Sequence, residues 1–192
     1  CVFIGRFVKQ KKVDHIIRAF SKVVKQVPEA KLEIWGFGEE EKTYKKMIRD
    51  LNLDNNIKIC GITQNSLEVF SKAAFSVFTS TKEGFGLTIL ESMSVGTPVI
   101  AYDINYGPRT MINHGVDGLL IAPNDIESLS EAIIYLFTNP QKCEEMGKQA
   151  RKITERFSEE NFIKQWIKIY ESALEQKKHR INLKKPECKL IN

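Results

Sequence analysis

Short apolar runs alternate with amphipathic runs along almost the whole chain, and nothing else in the sequence limits the fold as strongly. Residues 1–5 (CVFIG) read as a short buried strand. In 13–27, Val13, Ile16, Ile17, Phe20, Val23, Val24 and Val27 recur at helical spacing, and Pro28 stops that helix. Further strands are expected at 31–36, 57–61, 75–80, 99–103 and 118–122. Helices are expected at 39–52, with Tyr44, Met47, Ile48 and Leu51 on one face, and at about 65–73, 87–95, 125–137, 140–156 and 159–176. Residues 108–114 read as one or two helical turns. Strands separated by helices of this length pair in parallel through right-handed crossovers. The pattern predicts an α/β fold, a Rossmann-like doubly wound parallel sheet of about six strands.

Composition removes several alternatives. The 192 residues are 42% hydrophobic and 28% charged, which argues against a disordered or fibrous chain. No apolar run approaches the roughly 20 residues that cross a bilayer, and the start shows no signal peptide. The opening run at Cys1, without an initiator Met, reads as the interior of a longer protein cut at a domain boundary. The net charge of +5 lies in residues 177–192, a basic tail expected to be flexible and suited to an anionic membrane surface or anionic polymer. The body before it is neutral, so no nucleic-acid footprint is expected. Cys1, Cys60, Cys143 and Cys188 form no C-x-x-C pair, and His15, His114 and His179 are scattered, so no metal site is expected. Such thiols suit a reducing cytoplasm.

Five successive expected strands end in turn residues: Gly5-Arg6, Gly36-Phe37-Gly38, Gly61-Ile62-Thr63, Ser80 to Gly86, and Asp103 to Gly107. Ligands of doubly wound sheets bind beyond the carboxyl ends of the strands, so this rim is the expected site, with glycines allowing a ligand close to the backbone. In EGFGLTILE, Gly84 and Gly86 turn the chain from strand into helix, where unpaired amides suit a phosphate. Glu83 is placed to accept from sugar hydroxyls, and Glu91, a turn into the helix, from a vicinal diol. In GRFVKQKK, Arg6 and Lys11 put two cations beside a helix N-terminus, which by its own dipole prefers anions; an external anion would resolve this. WGFGEEE lacks the third glycine of a dinucleotide fingerprint, with Glu41 in its place, which argues against a nicotinamide dehydrogenase. No P-loop motif appears, and no D-x-D pair of a metal-dependent glycosyltransferase.

Gly5-Arg6, Lys11, the G-x-G after strand two and the Glu83/Glu91 pair together resemble the donor half of a GT-B glycosyltransferase, and more narrowly retaining glycosyltransferase family 4. The resemblance covers residue 1 to about 175. It implies the C-terminal half of a GT-B fold, a nucleotide-sugar donor-binding domain over 1–176. It implies a hexose transferred with retention of configuration, by front-side attack, from a UDP-sugar such as UDP-glucose or UDP-GlcNAc. The acceptor would be a cell-wall polymer, glycan or protein. Arg6 and Lys11 would bind the diphosphate, Glu91 the ribose and Glu83 the transferred sugar. Phe85, Gly86, Leu87 and Thr88 would line sugar and phosphates, and Gly61-Ile62 would meet the base. Gly5, Gly36, Gly38 and Gly84 would belong to the same donor site. No metal and no cofactor besides the donor are implied.

Two departures stand out. Lys12 occupies a place where the family usually has glycine, and Thr110 falls where an acid is often found. The run Asp103 to Pro108, D-x-x-Y-G-P, resembles the poly(glycerol-phosphate) α-glucosyltransferases of wall teichoic acid. The resemblance makes the missing partner an N-terminal acceptor-binding domain, without which the chain would be inactive. The last helix, 159–176, resembles one that crosses back to that missing domain, so that Phe162, Trp166, Ile169 and Tyr170 would meet it and be partly uncovered here; the alternative is that they pack on the sheet. The expected location is cytoplasmic, at most peripheral on the inner membrane face. The other readings are a nucleotide-sugar epimerase of the same fold and a non-catalytic nucleotide-sugar-binding subunit.

Overall fold

The computed structural model describes residues 1–183. Its strands are β1 (Val2–Ile4), β2 (Leu32–Trp35), β3 (Ile57–Gly61), β4 (Ser76–Phe78), β5 (Val99–Tyr102) and β6 (Gly118–Ile121). Its α-helices are α1 (Val13–Gln26), α2 (Glu41–Asp50), α3 (Ser66–Ser71), α4 (Leu87–Ser94), α5 (Pro108–Met111), α6 (Ile126–Thr138), α7 (Pro140–Ala150), α8 (Ile153–Arg156) and α9 (Glu159–Leu183). The strands form one sheet in the order β3-β2-β1-β4-β5-β6, parallel throughout. The order reverses between β1 and β4, which opens a crevice at the carboxyl ends of those two strands.

The sheet is buried on both faces, so its strands are continuous apolar runs rather than alternating ones. All four residues of β5 are buried, and Phe3, Ile34, Val77 and Ile100 are fully excluded from water. α1 turns Val13, Ile16, Ile17, Phe20 and Val23 inward and packs against α2 and α6. α3 and α7 pack against α4. Asn65 and Asp125 cap α3 and α6 by accepting from the amides of Glu68 and Ser128. These polar side chains satisfy amides that the first helical turn leaves unpaired.

Three boundaries differ from the sequence expectation. Helix α2 stops at Asp50, so Leu51 falls beyond it and is 39% exposed instead of completing the apolar face. The helix expected over 140–156 breaks after Ala150 and resumes at Ile153. Helix α9 runs on to Leu183, so the basic tail expected from 177 begins inside a helix. Between Ala173 and Leu183 there is no Gly or Pro, and the run is rich in Ala, Leu, Glu, Gln, Lys and Arg, all good helix formers. The rest of the expected tail, 184–192 with Cys188, lies outside the described residues. The chain divides into two compact units, Cys1–Ile153 and a second starting at Thr154. The rim residues all belong to the first. Among the described residues no helix is long and apolar enough to cross a membrane.

Candidate active site

The loop after β1 is laced to the loop after β2. Phe7 is fully buried against Tyr44, with ring centroids 5.6 Å apart. Its amide donates to the Phe37 carbonyl at 2.8 Å, and its own carbonyl accepts from the Glu40 amide at 3.1 Å. This contact needs glycine at 36 and 38. A Cβ on Gly36 would lie 1.8 Å from the Gly5 carbonyl oxygen, and one on Gly38 would lie 2.5 Å from the Phe7 carbonyl oxygen. The G-x-G after β2 thus has a packing reason of its own, whereas Gly61 and Gly84 face open space.

Across the crevice, the loop after β1 is joined to the loop after β4. Residues Lys9–Lys11 form a single 3-10 turn. The Thr79 hydroxyl lies 2.8 Å and 2.9 Å from the carbonyl oxygens of Lys11 and Lys12. The Thr81 amide donates to the Gln10 carbonyl at 3.0 Å, and the Gln10 side-chain amide donates to the Lys82 carbonyl. On this seam Lys11 Nζ donates to Glu83 Oε1 at 2.5 Å, with both side chains only 16% exposed. Just behind the seam, His15 Nδ1 meets the hydroxyl of buried Tyr102 at 2.8 Å, and burial holds the imidazole below its ordinary pKa.

Helix α4 starts at the same rim. Its first turn closes with the Ile89 amide on the Gly86 carbonyl at 2.9 Å, so the amides of Leu87 and Thr88 precede the helical ladder. Phe85, Leu87 and Ile62 are 42%, 63% and 66% exposed on this side. Glu91 is partly buried and accepts from the Ser66 hydroxyl, at the start of α3, at 3.0 Å. Arg6 is exposed and has no ion pair among the described residues.

The loop after β5 closes the far side. Arg109 holds Asp103 by two parallel bonds of 2.7 Å and 2.9 Å and reaches Asn105 at 3.1 Å. The guanidinium keeps the Asp103 carboxyl below the usual range, mainly through these hydrogen bonds. Gly107 lies so close to the neighbouring loop that a Cβ there would come within 2.5 Å of the Phe85 carbonyl oxygen. Between the two loops lies a cavity of about 490 Å³ lined by Thr81, Lys82, Glu83, Tyr106 and Arg109, among others. A cavity of about 560 Å³ lined by Ala74, Gly96, Pro98 and Cys143 lies at the opposite, amino-terminal edge of the strands, away from the rim. Among the described residues no group of three His, Cys, Asp or Glu could hold a metal.

The structure brings Lys11 and Glu83 into contact, which the sequence did not foretell. It also adds Ser66, Thr79 and the Asp103–Arg109 pair. Of these, only the last left a trace in the sequence, as opposite charges six apart around a Gly-Pro turn.

The family model "Glycosyl transferases group 1" matches residues 1–153. The chain belongs to that family. It is 41% identical over 165 residues to poly(glycerol-phosphate) alpha-glucosyltransferase of Bacillus subtilis (strain 168), covering 86% of this chain and 24% of that protein. Among solved structures it resembles a TarM mutant of Staphylococcus aureus in complex with fondaparinux, alpha-GlcNAc-glycerol and UDP. There the TM-score is 0.84 at 32% identity, over 88% of this chain and 34% of that one. The pneumococcal O-GlcNAc transferase GtfA in complex with UDP and GlcNAc gives a TM-score of 0.79 at 27% identity, over 90% of this chain and 35% of that one. This group 1 chain has the Rossmann-like fold of the C-terminal domain of GT-B glycosyltransferases, as its sequence predicts. It spans only a quarter to a third of these relatives.

Proposed function

We propose that this domain binds the nucleotide-sugar donor of a retaining hexosyltransferase, with a UDP-sugar such as UDP-glucose or UDP-GlcNAc as donor. The acceptor is a wall polymer, a glycan or a protein, as the names of its relatives suggest. The observation that carries the reading is the meeting of Lys11 and Glu83 across the crevice where the strand order reverses. Ligands of doubly wound sheets bind at that place.

In this reading Arg6 and Lys11 hold the diphosphate and neutralise the charge that grows on it as the sugar leaves. The amides of Leu87 and Thr88, at the positive end of α4, add to the same anion site. Glu91, oriented by Ser66, takes the ribose, and Ile62 flanks the base. Glu83 takes the hydroxyls of the transferred sugar, and the cavity between the loops after β4 and β5 faces the acceptor. The acceptor-binding domain is supplied by the rest of the protein.

Thermal shift with UDP, UDP-glucose, UDP-GlcNAc and NAD tests the reading. A ligand at 100 times its Kd stabilises the fold by about 2.7 kcal/mol. The uridine nucleotides should raise the Tm, with or without EDTA, and NAD should not. A shift with NAD and none with any uridine nucleotide would overturn the proposal.

A further inference from the structure

We infer that the Lys11–Glu83 ion pair is a latch that the donor itself opens, an inference that rests on the nucleotide-sugar reading above. The Glu83 carboxylate holds Lys11 Nζ at the place where the proposed diphosphate would put a phosphate oxygen. When the diphosphate arrives, Lys11 turns to it and Glu83 is released toward the sugar. The carboxylate then becomes available for sugar hydroxyls only after the diphosphate is seated.

Three features support this. The contact is short, 2.5 Å, and largely shielded, with 16% exposure on each side, so it competes effectively with an incoming anion. Glu83 is the only carboxylate in ion-pair range of Lys11 among the described residues. The seam between the two loops does not depend on the pair. Thr79, Thr81 and Gln10 hold it through backbone groups, so the latch can open while the loops stay joined.

The consequence is that Glu83 opposes nucleotide binding although, of the donor's parts, it is assigned only the sugar. Calorimetry with UDP and with uridine on this chain tests it. Glu83→Gln keeps the shape and removes the charge, so UDP should bind about tenfold tighter, about 1.4 kcal/mol, with uridine unchanged. In a Lys11→Ala background the same change should tighten UDP by about twofold or less, because the two residues then no longer couple. Should Glu83→Gln not fold, Glu83→Asp, one methylene shorter, should tighten UDP in the same direction. Unchanged or weaker UDP binding in the Glu83 variants overturns the latch and leaves the donor reading standing. So does tightening that persists in full without Lys11, which would be plain repulsion between Glu83 and phosphate. If the unaltered chain binds no uridine nucleotide, both fall together.

Discussion

Lys12 holds φ 50 and ψ 40 at the joint between the 3-10 turn and α1. The left-handed region costs an L-residue about 1–2 kcal/mol because Cβ crowds the following carbonyl. Lys12→Gly removes that strain and gives back about 0.5–1 kcal/mol through glycine's freedom in the unfolded chain. The net gain should be about 0–1.5 kcal/mol, a rise in Tm of at most a few degrees for a chain of this size. Lys12→Val, branched at Cβ, should lower the Tm instead. Scanning calorimetry of the two variants checks the pair. Glu91 offers a second test at this scale. A group on the ribose meets uridine and UDP alike, so Glu91→Ala should weaken both by the same factor. A hydrogen bond to a charged group contributes about 1.5–3 kcal/mol, so the factor should be roughly tenfold to a hundredfold. Calorimetry that finds UDP weakened and uridine untouched would move Glu91 onto the diphosphate.

At the scale of elements, the rim glycines fall into two kinds that the sequence shows as one. Each expected strand is followed by a turn, and that much is readable from spacing. Which glycine a ligand approaches and which one a neighbouring loop approaches depends on strands far apart in the chain, so local pattern carries no sign of it. Gly36 lies where its Cβ would meet the Gly5 carbonyl oxygen at 1.8 Å. Backbone cannot yield as a flexible side chain can, so Gly36→Ala should cost more than about 3 kcal/mol, well above the usual surface substitution. Gly84 faces open space, and its backbone is not in the left-handed region. Gly84→Ala should leave the urea midpoint nearly unchanged and weaken UDP-glucose binding, since its methyl group projects into the proposed ligand space. The helices tell the same story. In α1 the end is readable to within one residue, 13–27 expected against Val13–Gln26 observed, because Pro28 marks it. In α2 the expected face includes Leu51, one residue past the end of the helix, because periodicity alone does not say where the last turn stops. The Lys11–Glu83 contact is the clearest case of what could not be read. Its partners are 72 residues apart, and both look like separate ligand groups until the sheet order brings their strands side by side.

On the scale of the whole molecule, helix α9 carries an exposed aromatic stripe. Phe162, Trp166, Ile169 and Tyr170 are between 44% and 62% exposed, and they recur at helical spacing along one face. Phe162 and Trp166 meet edge to face one turn apart, with ring centroids 6.1 Å apart, and Trp166 and Tyr170 lie tilted against each other at 5.7 Å. An amphipathic helix buries such a stripe against something, and a contiguous exposed apolar patch of this kind marks an interaction surface. The chain covers a quarter of its Bacillus subtilis relative and a third of TarM, so most of the relatives' surface has no counterpart here. The expectation from the sequence, that this face meets the acceptor-binding half, therefore gives a prediction in two parts. In this chain alone, Trp166→Ser with Tyr170→Ser should leave both the Tm and the UDP affinity as they are, because both rings are largely exposed and the rim residues all belong to the unit Cys1–Ile153. In the two-domain transferase proposed above, the same double change should lower kcat while UDP still binds as before. Transfer needs the two halves held within about an ångström of reacting geometry, and nucleotide binding does not. A fall in Tm of the isolated chain would show instead that the stripe serves its own domain. Unchanged kcat in the full-length protein would show that the stripe does not hold the two halves together.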